Sequence, residues 1–292
     1  MIFVICGPTC SGKTEIANKI AAFCNCPIIN ADAFQIYQEM NIGTAKLSKE
    51  DSNYKKYHLL DIVSPSELYS VKQYQDDFRK CINELLKTNN HIVVCGGTGL
   101  YIKSALYDYE FEEEDDFDMS IFDNQTPEQL YEKLKELDPK ACEKVHMNNV
   151  KRVKRALAIA LSHTETKSEN IDKQKHDLIY KDVVFLMISP DREKLYEHIN
   201  SRVDLMFEKG LVDEVKSLLD KFDLSVTSKE AIGYKETIDY LNGNISLEEC
   251  KELIKKRTRN YAKRQVTFFK NQMPVQIFET AEELIKEAKK YE

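Results

Sequence analysis

The stretch Val4-Ile5-Cys6-Gly7-Pro8-Thr9-Cys10-Ser11-Gly12-Lys13-Thr14 decides how the rest of the chain is read. The apolar run from Ile2 to Cys6 has the character of a buried strand, and Gly7 breaks it. Lys13 to Phe23 follows with Ile16, Ala17, Ile20 and Ala21 at helical spacing. Between strand and helix, Gly7, Gly12, Lys13 and Thr14 fill the pattern G-x-x-x-x-G-K-[ST], with Pro8, Thr9, Cys10 and Ser11 as the loop body. Such a loop lets backbone N–H groups converge on phosphate oxygens at a helix N-terminus. Lys13 would neutralise a terminal phosphate, and the Thr14 hydroxyl can ligate Mg²⁺. A phosphate or diphosphate site is expected, the plain alternative being a tight turn with a surface lysine.

Working outward, Pro27 to Asn30 reads as a second short strand and runs into Ala31-Asp32-Ala33-Phe34-Gln35-Ile36-Tyr37. An acid just past a strand in a parallel α/β sheet sits on the edge where such folds place ligands. Tyr57 to Val63 is a further extended segment, Val71 to Leu86 an amphipathic helix, and His91 to Cys95 a third buried strand ending in Gly96-Gly97-Thr98-Gly99. Strands alternating with helices predict a P-loop-type parallel sheet flanked by helices. A P-loop ATPase usually carries an acid at the end of an apolar strand to hold magnesium. Here that strand runs into glycines, which leaves phosphate binding intact and disfavours ordinary ATP hydrolysis.

After Tyr107 the pattern changes. An acidic run from Glu110 to Asp118 reads as a solvated boundary, and helical patterns follow at about 127–137, 139–145 and 148–162 before a polar stretch from Ser162 to Gln174. Strand character returns only at Asp182 to Ile188. Residues 1–110 and 181–292 are therefore expected to form the core, and 111–180 a small all-helical insertion. Val275 to Phe278 reads as a late strand and 281–290 as a closing helix.

The 292 residues, 42% hydrophobic and 31% charged, describe an ordinary soluble protein. No apolar run approaches a membrane span, and the N-terminus enters a strand without a basic lead, so a cytoplasmic location without a secretion signal is expected. Eight cysteines form no C-x-x-C pair and read as free thiols. A net charge of −7 argues against indiscriminate nucleic-acid binding, yet two helices are locally basic. In 148–162, Val150, Val153, Leu157 and Leu161 form an apolar stripe, with Lys151, Arg152, Lys154 and Arg155 pointing away. In 246–270, Leu247, Cys250, Ile254, Tyr261 and Phe268 can face a core, while Lys251, Lys255, Lys256, Arg257, Arg259, Lys263, Arg264 and Lys270 crowd the remainder. Clustered Lys and Arg are the footprint of phosphate-backbone binding, although a charged face is often merely solvated.

Several strings together match one family. They are residues 7–14, Asn30 to Tyr37, Asn41-Ile42-Gly43-Thr44-Ala45-Lys46, His58 to Ile62, Gly96 to Tyr101, Ala231-Ile232-Gly233-Tyr234-Lys235-Glu236 and Lys263-Arg264-Gln265-Val266-Thr267. The chain resembles the tRNA dimethylallyltransferases, which act on adenosine 37 beside the anticodon. The resemblance runs almost end to end. It departs at 111–126, which is short and acidic, and it lacks the zinc finger of some eukaryotic members.

The resemblance implies dimethylallyl diphosphate as donor, held with Mg²⁺ in the phosphate loop from Gly7 to Thr14. The acceptor would be N6 of adenosine 37 in tRNAs reading codons that start with U. It places the catalytic acid at Asp32, a further diphosphate contact at Arg202 and the glycine-loop threonine at Thr98. RNA-gripping segments fall on Asp32, Ala33, Phe34 and Gln35, on Thr98, on Lys151, Arg152, Val153, Lys154 and Arg155, and on Lys263, Arg264, Gln265, Val266, Thr267, Phe268, Phe269 and Lys270. A monomer working on the anticodon stem-loop is expected. From the residues alone, Asp32 is equally a helix cap or loop hydrogen bond, Arg202 a surface arginine, and Thr98 a turn residue. Phe34 and Tyr37 are candidate base-stacking side chains or plain packing. Two rivals are a kinase built on the same loop, for which no lid motif is evident, and a non-catalytic RNA-binding protein, which leaves the loop and Asp32 idle.

Overall fold

Six strands pair into one wholly parallel sheet in the order β3-β2-β4-β1-β5-β6. They are β1 (Ile2–Cys6), β2 (Ile28–Asn30), β3 (Tyr57–His58), β4 (Ile92–Cys95), β5 (Val183–Ile188) and β6 (Gln276–Phe278). A parallel sheet is covered on both faces, which is why β1 and β4 are apolar at every position and buried throughout. The register sets Ile5 beside Cys95 and Asn30 beside Cys95, so the segments leaving β1, β2 and β4 emerge at one carboxyl edge. The computed structural model describes residues 1–111, 117–162 and 177–291. It divides into two compact units, Met1–Leu106 with Tyr180–Glu292, and Tyr107–Ile179.

In the larger unit, α1 (Lys13–Phe23) lays Ile16, Ala17, Ile20 and Ala21 on the sheet against Phe3, Ile5 and Leu186. Helix α2 (Val71–Leu85) begins in a reciprocal cap, Gln73 N–H donating to Ser70 Oγ and Ser70 N–H to the Gln73 side chain. Helix α3 (Gly99–Leu106) follows β4 directly.

The smaller unit is built on α4 (Pro127–Leu137), α5 (Pro139–Lys144) and α6 (Val150–Ser162). Thr126 and Gln129 cap α4, with Pro127 in its first turn, and Leu130 and Leu134 pack with Phe122, Val153 and Leu157. Lys151, Arg152 and Arg155 are exposed, while Lys154 pairs with Asp123 at 2.9 Å. Val153 is fully buried, so its side chain serves the core and offers nothing to RNA. Leu161 falls off the apolar stripe and is 41% exposed. Most of the acidic run and nearly all of the polar stretch lie outside the described residues.

The chain then re-enters the sheet and continues in α7 (Arg192–Glu208), α8 (Leu211–Lys221), α9 (Val226–Lys229), α10 (Tyr234–Leu241), α11 (Leu247–Gln272) and α12 (Ala281–Ala288). Helix α11 buries Cys250, Ile254, Ala262, Gln265 and Phe269. This corrects the expected phase of its inner face: Phe269 is wholly buried, whereas Phe268 and Tyr261 are half-buried and Leu247 is exposed. Phe269 is thereby removed from the residues that could touch RNA. Tyr37 is also fully buried and is a core side chain rather than a stacking platform. Among the described residues no helix is long and apolar enough to cross a membrane.

Residues 37–63 carry little regular structure and are held by side chains instead. The buried Lys46 ammonium donates to Asp61 Oδ1 at 2.6 Å and to the Tyr37 carbonyl, and Tyr54 Oη donates to Asp61 Oδ2 at 2.7 Å. Removing one partner of a buried pair leaves an uncompensated charge, at a cost of about 3–5 kcal/mol. Lys46→Met is therefore expected to lower unfolding free energy in urea by about 3 kcal/mol. A loss below about 1 kcal/mol would show that the pair does not hold this segment.

Candidate active site

The loop from Gly7 to Thr14 leaves β1 at the carboxyl edge of the sheet. Gly12 precedes α1 with φ of 85°, a left-handed conformation in which a side chain is strained. Within the loop, Ser11 Oγ donates to Pro8 O at 2.8 Å and Lys13 Nζ to the same carbonyl at 2.5 Å. Burial pulls the Lys13 ammonium below the ordinary lysine range, while the negative charge of Asp32 draws it back up.

Two long-range contacts fix this loop. From α11, Gln265 Oε1 accepts from Thr9 N–H at 2.8 Å, and Gln265 Nε2 donates to Gly97 O at 2.8 Å. One amide thus ties the phosphate loop to the glycine loop after β4. A Cβ at Gly97 would lie 2.2 Å from that amide nitrogen, so the approach requires glycine. From α7, Arg202 Nη1 donates to Thr9 Oγ1 at 2.8 Å, and Nη2 lies 3.5 Å from Gly43 O.

Beyond β2, Asp32 Oδ1 accepts from Phe34 N–H at 3.0 Å, and Thr98 Oγ1 accepts from Ala33 N–H at 3.0 Å. Thr98 therefore positions the Asp32 loop by satisfying its backbone. Gln35 Nε2 donates to Thr44 O at 3.1 Å, which joins that loop to the 41–46 segment. The 41–46 segment is held in turn by Glu214 of α8, whose carboxylate accepts from the N–H groups of Asn41, Ile42 and Gly43 and from Tyr234 Oη.

These pieces line one cavity of about 230 Å³. Thr9 to Thr14, Asp32, Phe34, Gln35 and Arg202 contribute to it, joined by an apolar wall that includes Val203 and Met206 of α7 and Ile254 of α11. Tyr261 also lines it, with its phenol pushed up to about 12 by burial and by the negative charge of Asp32. Asp32, the phosphate loop and Arg202, far apart in sequence, are thus brought together. Thr98 supports the loop that carries Asp32.

Of the basic α11 segment, Lys263, Arg264, Thr267 and Lys270 are exposed, Val266 and Phe268 half-buried, and Gln265 buried. Gln265 belongs to the inner architecture, with 5% of its surface exposed and its amide already engaged, so the expectation of an RNA contact there is corrected. Sequence reading missed Glu214, Tyr261 and the bridging role of Gln265. Only the Gly233-Tyr234 string and the Gln265 string marked two of the elements involved.

A parallel sheet, a phosphate loop after its first strand and a cavity shared by that loop, a carboxylate and apolar side chains define a P-loop α/β protein. The IPP transferase family model matches residues 35–272. The tRNA dimethylallyltransferase of Bacillus licheniformis is 43% identical over 100% of this chain and 94% of its own length. The structure of a tRNA isopentenylpyrophosphate transferase from Staphylococcus epidermidis is 34% identical, covers 99% of this chain and 97% of that one, and aligns with a TM-score of 0.72. A eukaryotic dimethylallyltransferase solved acting on tRNA is 28% identical, covers 94% of this chain and 73% of that one, and gives 0.77. The chain belongs to the tRNA dimethylallyltransferase family.

Gln265→Met keeps the volume of the amide but leaves Thr9 N–H and Gly97 O without their partner. An unpaired buried group costs about 1–3 kcal/mol, so affinity for inorganic pyrophosphate is expected to fall about tenfold in calorimetry. Unchanged affinity would mean that the loop keeps its shape without the bridge.

Proposed function

We propose that this chain transfers a dimethylallyl group from dimethylallyl diphosphate to N6 of adenosine 37 in tRNA, releasing diphosphate. The observation that carries the reading is the composition of this cavity: phosphate loop, cationic side chains, a carboxylate and an apolar wall. A donor with a diphosphate head and a short hydrocarbon tail needs all but the carboxylate, and an amine nucleophile needs the carboxylate.

The adenine N6 amine is a poor nucleophile, because its lone pair is delocalised into the ring. Asp32 orients it and takes its proton as the new C–N bond forms. Negative charge builds on the bridging oxygen as the allylic carbon leaves. Lys13, Arg202 and the loop N–H groups stabilise that charge more in the transition state than in the ground state. Apolar walls keep water from the electron-poor carbon. The base is drawn from the RNA loop into the protein, which is cheaper for an unpaired nucleotide. Exposed Lys151, Arg152 and Arg155 on α6, and Lys263, Arg264 and Lys270 on α11, supply the phosphate-backbone contacts.

Magnesium is taken up with few protein ligands and several substrate phosphate oxygens. The Thr14 hydroxyl and the Asp32 carboxylate both line the cavity and are hard oxygen donors of the kind it accepts. Thr14 would hold the ion beside the diphosphate, where it supplies charge neutralisation to the leaving group. Phosphate transfer from ATP is favoured less, since β4 runs into Gly96 and Gly97 with no acid at its end.

Purified protein is expected to transfer labelled dimethylallyl from its diphosphate to an anticodon stem-loop containing A36-A37. Chelation of Mg²⁺ should stop transfer, and Asp32→Asn should slow it by roughly 10²–10⁴-fold while pyrophosphate still binds. Phosphate transfer from ATP without prenyl transfer would overturn the reading.

Reversing charge at Lys151 and Arg155 should weaken stem-loop binding and flatten its salt dependence, leaving pyrophosphate affinity unchanged. Unaltered RNA affinity would take α6 out of the interface.

A further inference from the structure

The donor cavity is not the only one built on α7. A second cavity, of about 500 Å³, is lined by residues of the 39–50 segment and by Arg202, Leu205, Met206 and Lys209. Ala45, Leu47, Arg202 and Met206 line both cavities. Those four residues mark where the two cavities adjoin.

Helical geometry explains how one element serves two cavities. Arg202, Leu205 and Met206, with Lys209 at the C-terminal cap, recur at i, i+3, i+4 and i+7, which continues a single face of α7, and all four line the second cavity. Val203, one residue further round, turns with Arg202 and Met206 to the first. Arg202 and Met206 therefore stand where the two stripes meet. The guanidinium of Arg202 is committed to Thr9 Oγ1. Ala45 has no reach. Met206, 8% exposed, and Leu47 are the two sizeable apolar side chains left to close the wall.

We infer that Met206, aided by Leu47, limits the prenyl donor to five carbons by closing the donor cavity against the second one. The inference rests on the function proposed above and names which diphosphates that site admits. In a ten-carbon allylic diphosphate the diphosphate head needs the same loop, and on this inference the second isoprene unit is set against the Met206 side chain on the shared wall. Methionine fills space with an unbranched, unsubstituted chain. Truncation to alanine removes the barrier without adding charge. Beyond it, Ile42, Leu47 and the 45%-exposed Leu205 offer apolar surface to a longer tail. The chemistry is unchanged in balance. The C1–O bond of the donor breaks with its electron pair on diphosphate, the N6–C1 bond forms, and the N6 proton passes to Asp32.

The test is a competition between dimethylallyl diphosphate and geranyl diphosphate on the same stem-loop, with products resolved by mass spectrometry. Wild type should yield the dimethylallyl product in large excess over a small, measurable geranyl product. Met206→Ala should raise the geranyl-to-dimethylallyl ratio roughly tenfold or more, the scale on which pockets sort substrates by methylene groups. Leu47→Ala, which opens the wall from the opposite side, should shift the ratio in the same direction and serves if the first variant does not fold. Folded variants that both keep the wild-type ratio would overturn the inference while leaving the proposed function standing. So would a wild type that already uses geranyl diphosphate readily. A wild type that transfers neither group would instead overturn the function itself.

Discussion

A single primary amide holds the site together. Two loops leave neighbouring parallel strands at the same edge of the sheet, and each carries backbone groups that the sheet no longer pairs. Gln265 supplies one acceptor to Thr9 N–H and one donor to Gly97 O, at 2.8 Å each. Glutamate would lack the donor and leucine both functions, so few residues can make this join. The amide is delivered by α11, the longest helix among the described residues, which also brings Ile254 and Tyr261 to the cavity and sets Phe268 against Gly99. One element thus braces the phosphate loop on its inner side and presents lysines and arginines on its outer side. A change that rotates α11 would disturb the phosphate loop and the basic face together.

The opposite wall is made differently. Residues 41–46 form no helix or strand, so their backbone groups find partners elsewhere. Glu214 accepts three consecutive N–H groups and the Tyr234 hydroxyl, Arg202 reaches Gly43 O, and Gln35 reaches Thr44 O. Tyr234 is buried, and its phenol is pushed well above the ordinary tyrosine range by burial and then by the Glu214 charge. It therefore acts as a fixed donor. A wall of this kind keeps its shape only while α7, α8 and α10 stay in place.

The strands and most helices were legible because their apolar residues repeat with the period of the element. The place of Asp32 at the carboxyl edge was legible as well: an acid two residues beyond a buried strand has few places to go in a parallel sheet. Arg202 was not, since nothing in an amphipathic helix says that its arginine meets a loop 193 residues earlier. The phase of α11 was misread for a related reason. Cys250 and Ile254 face inward as expected. Further along, the inner face carries Ala262 and Gln265, one small residue and one polar one, which an apolar stripe does not mark, while Phe268 and Phe269 compete for the same turn. Burial went to Phe269. Val153 stood in two readings at once, on the apolar stripe of its helix and in the basic string matched by resemblance, and its burial agrees with the stripe.

Arg202 and Met206 show how a single helical turn can carry two opposed demands. Four residues apart, they project from the same face of α7 about 6 Å apart along the axis. The first places a permanent cation on the phosphate loop, and the second places an uncharged thioether on the cavity wall. A diphosphate joined to a short hydrocarbon has the same sequence of properties along its length. Lys13 adds a second cation whose charge is opposed by burial, so an anion arriving beside it restores what desolvation removes. Charge attraction is therefore strongest at the phosphate loop, and dispersion takes over within one turn of helix. The orientation of α7 about its own axis decides both, and Asp191, which caps its first turn through Glu193 and Lys194 N–H, begins to fix that orientation.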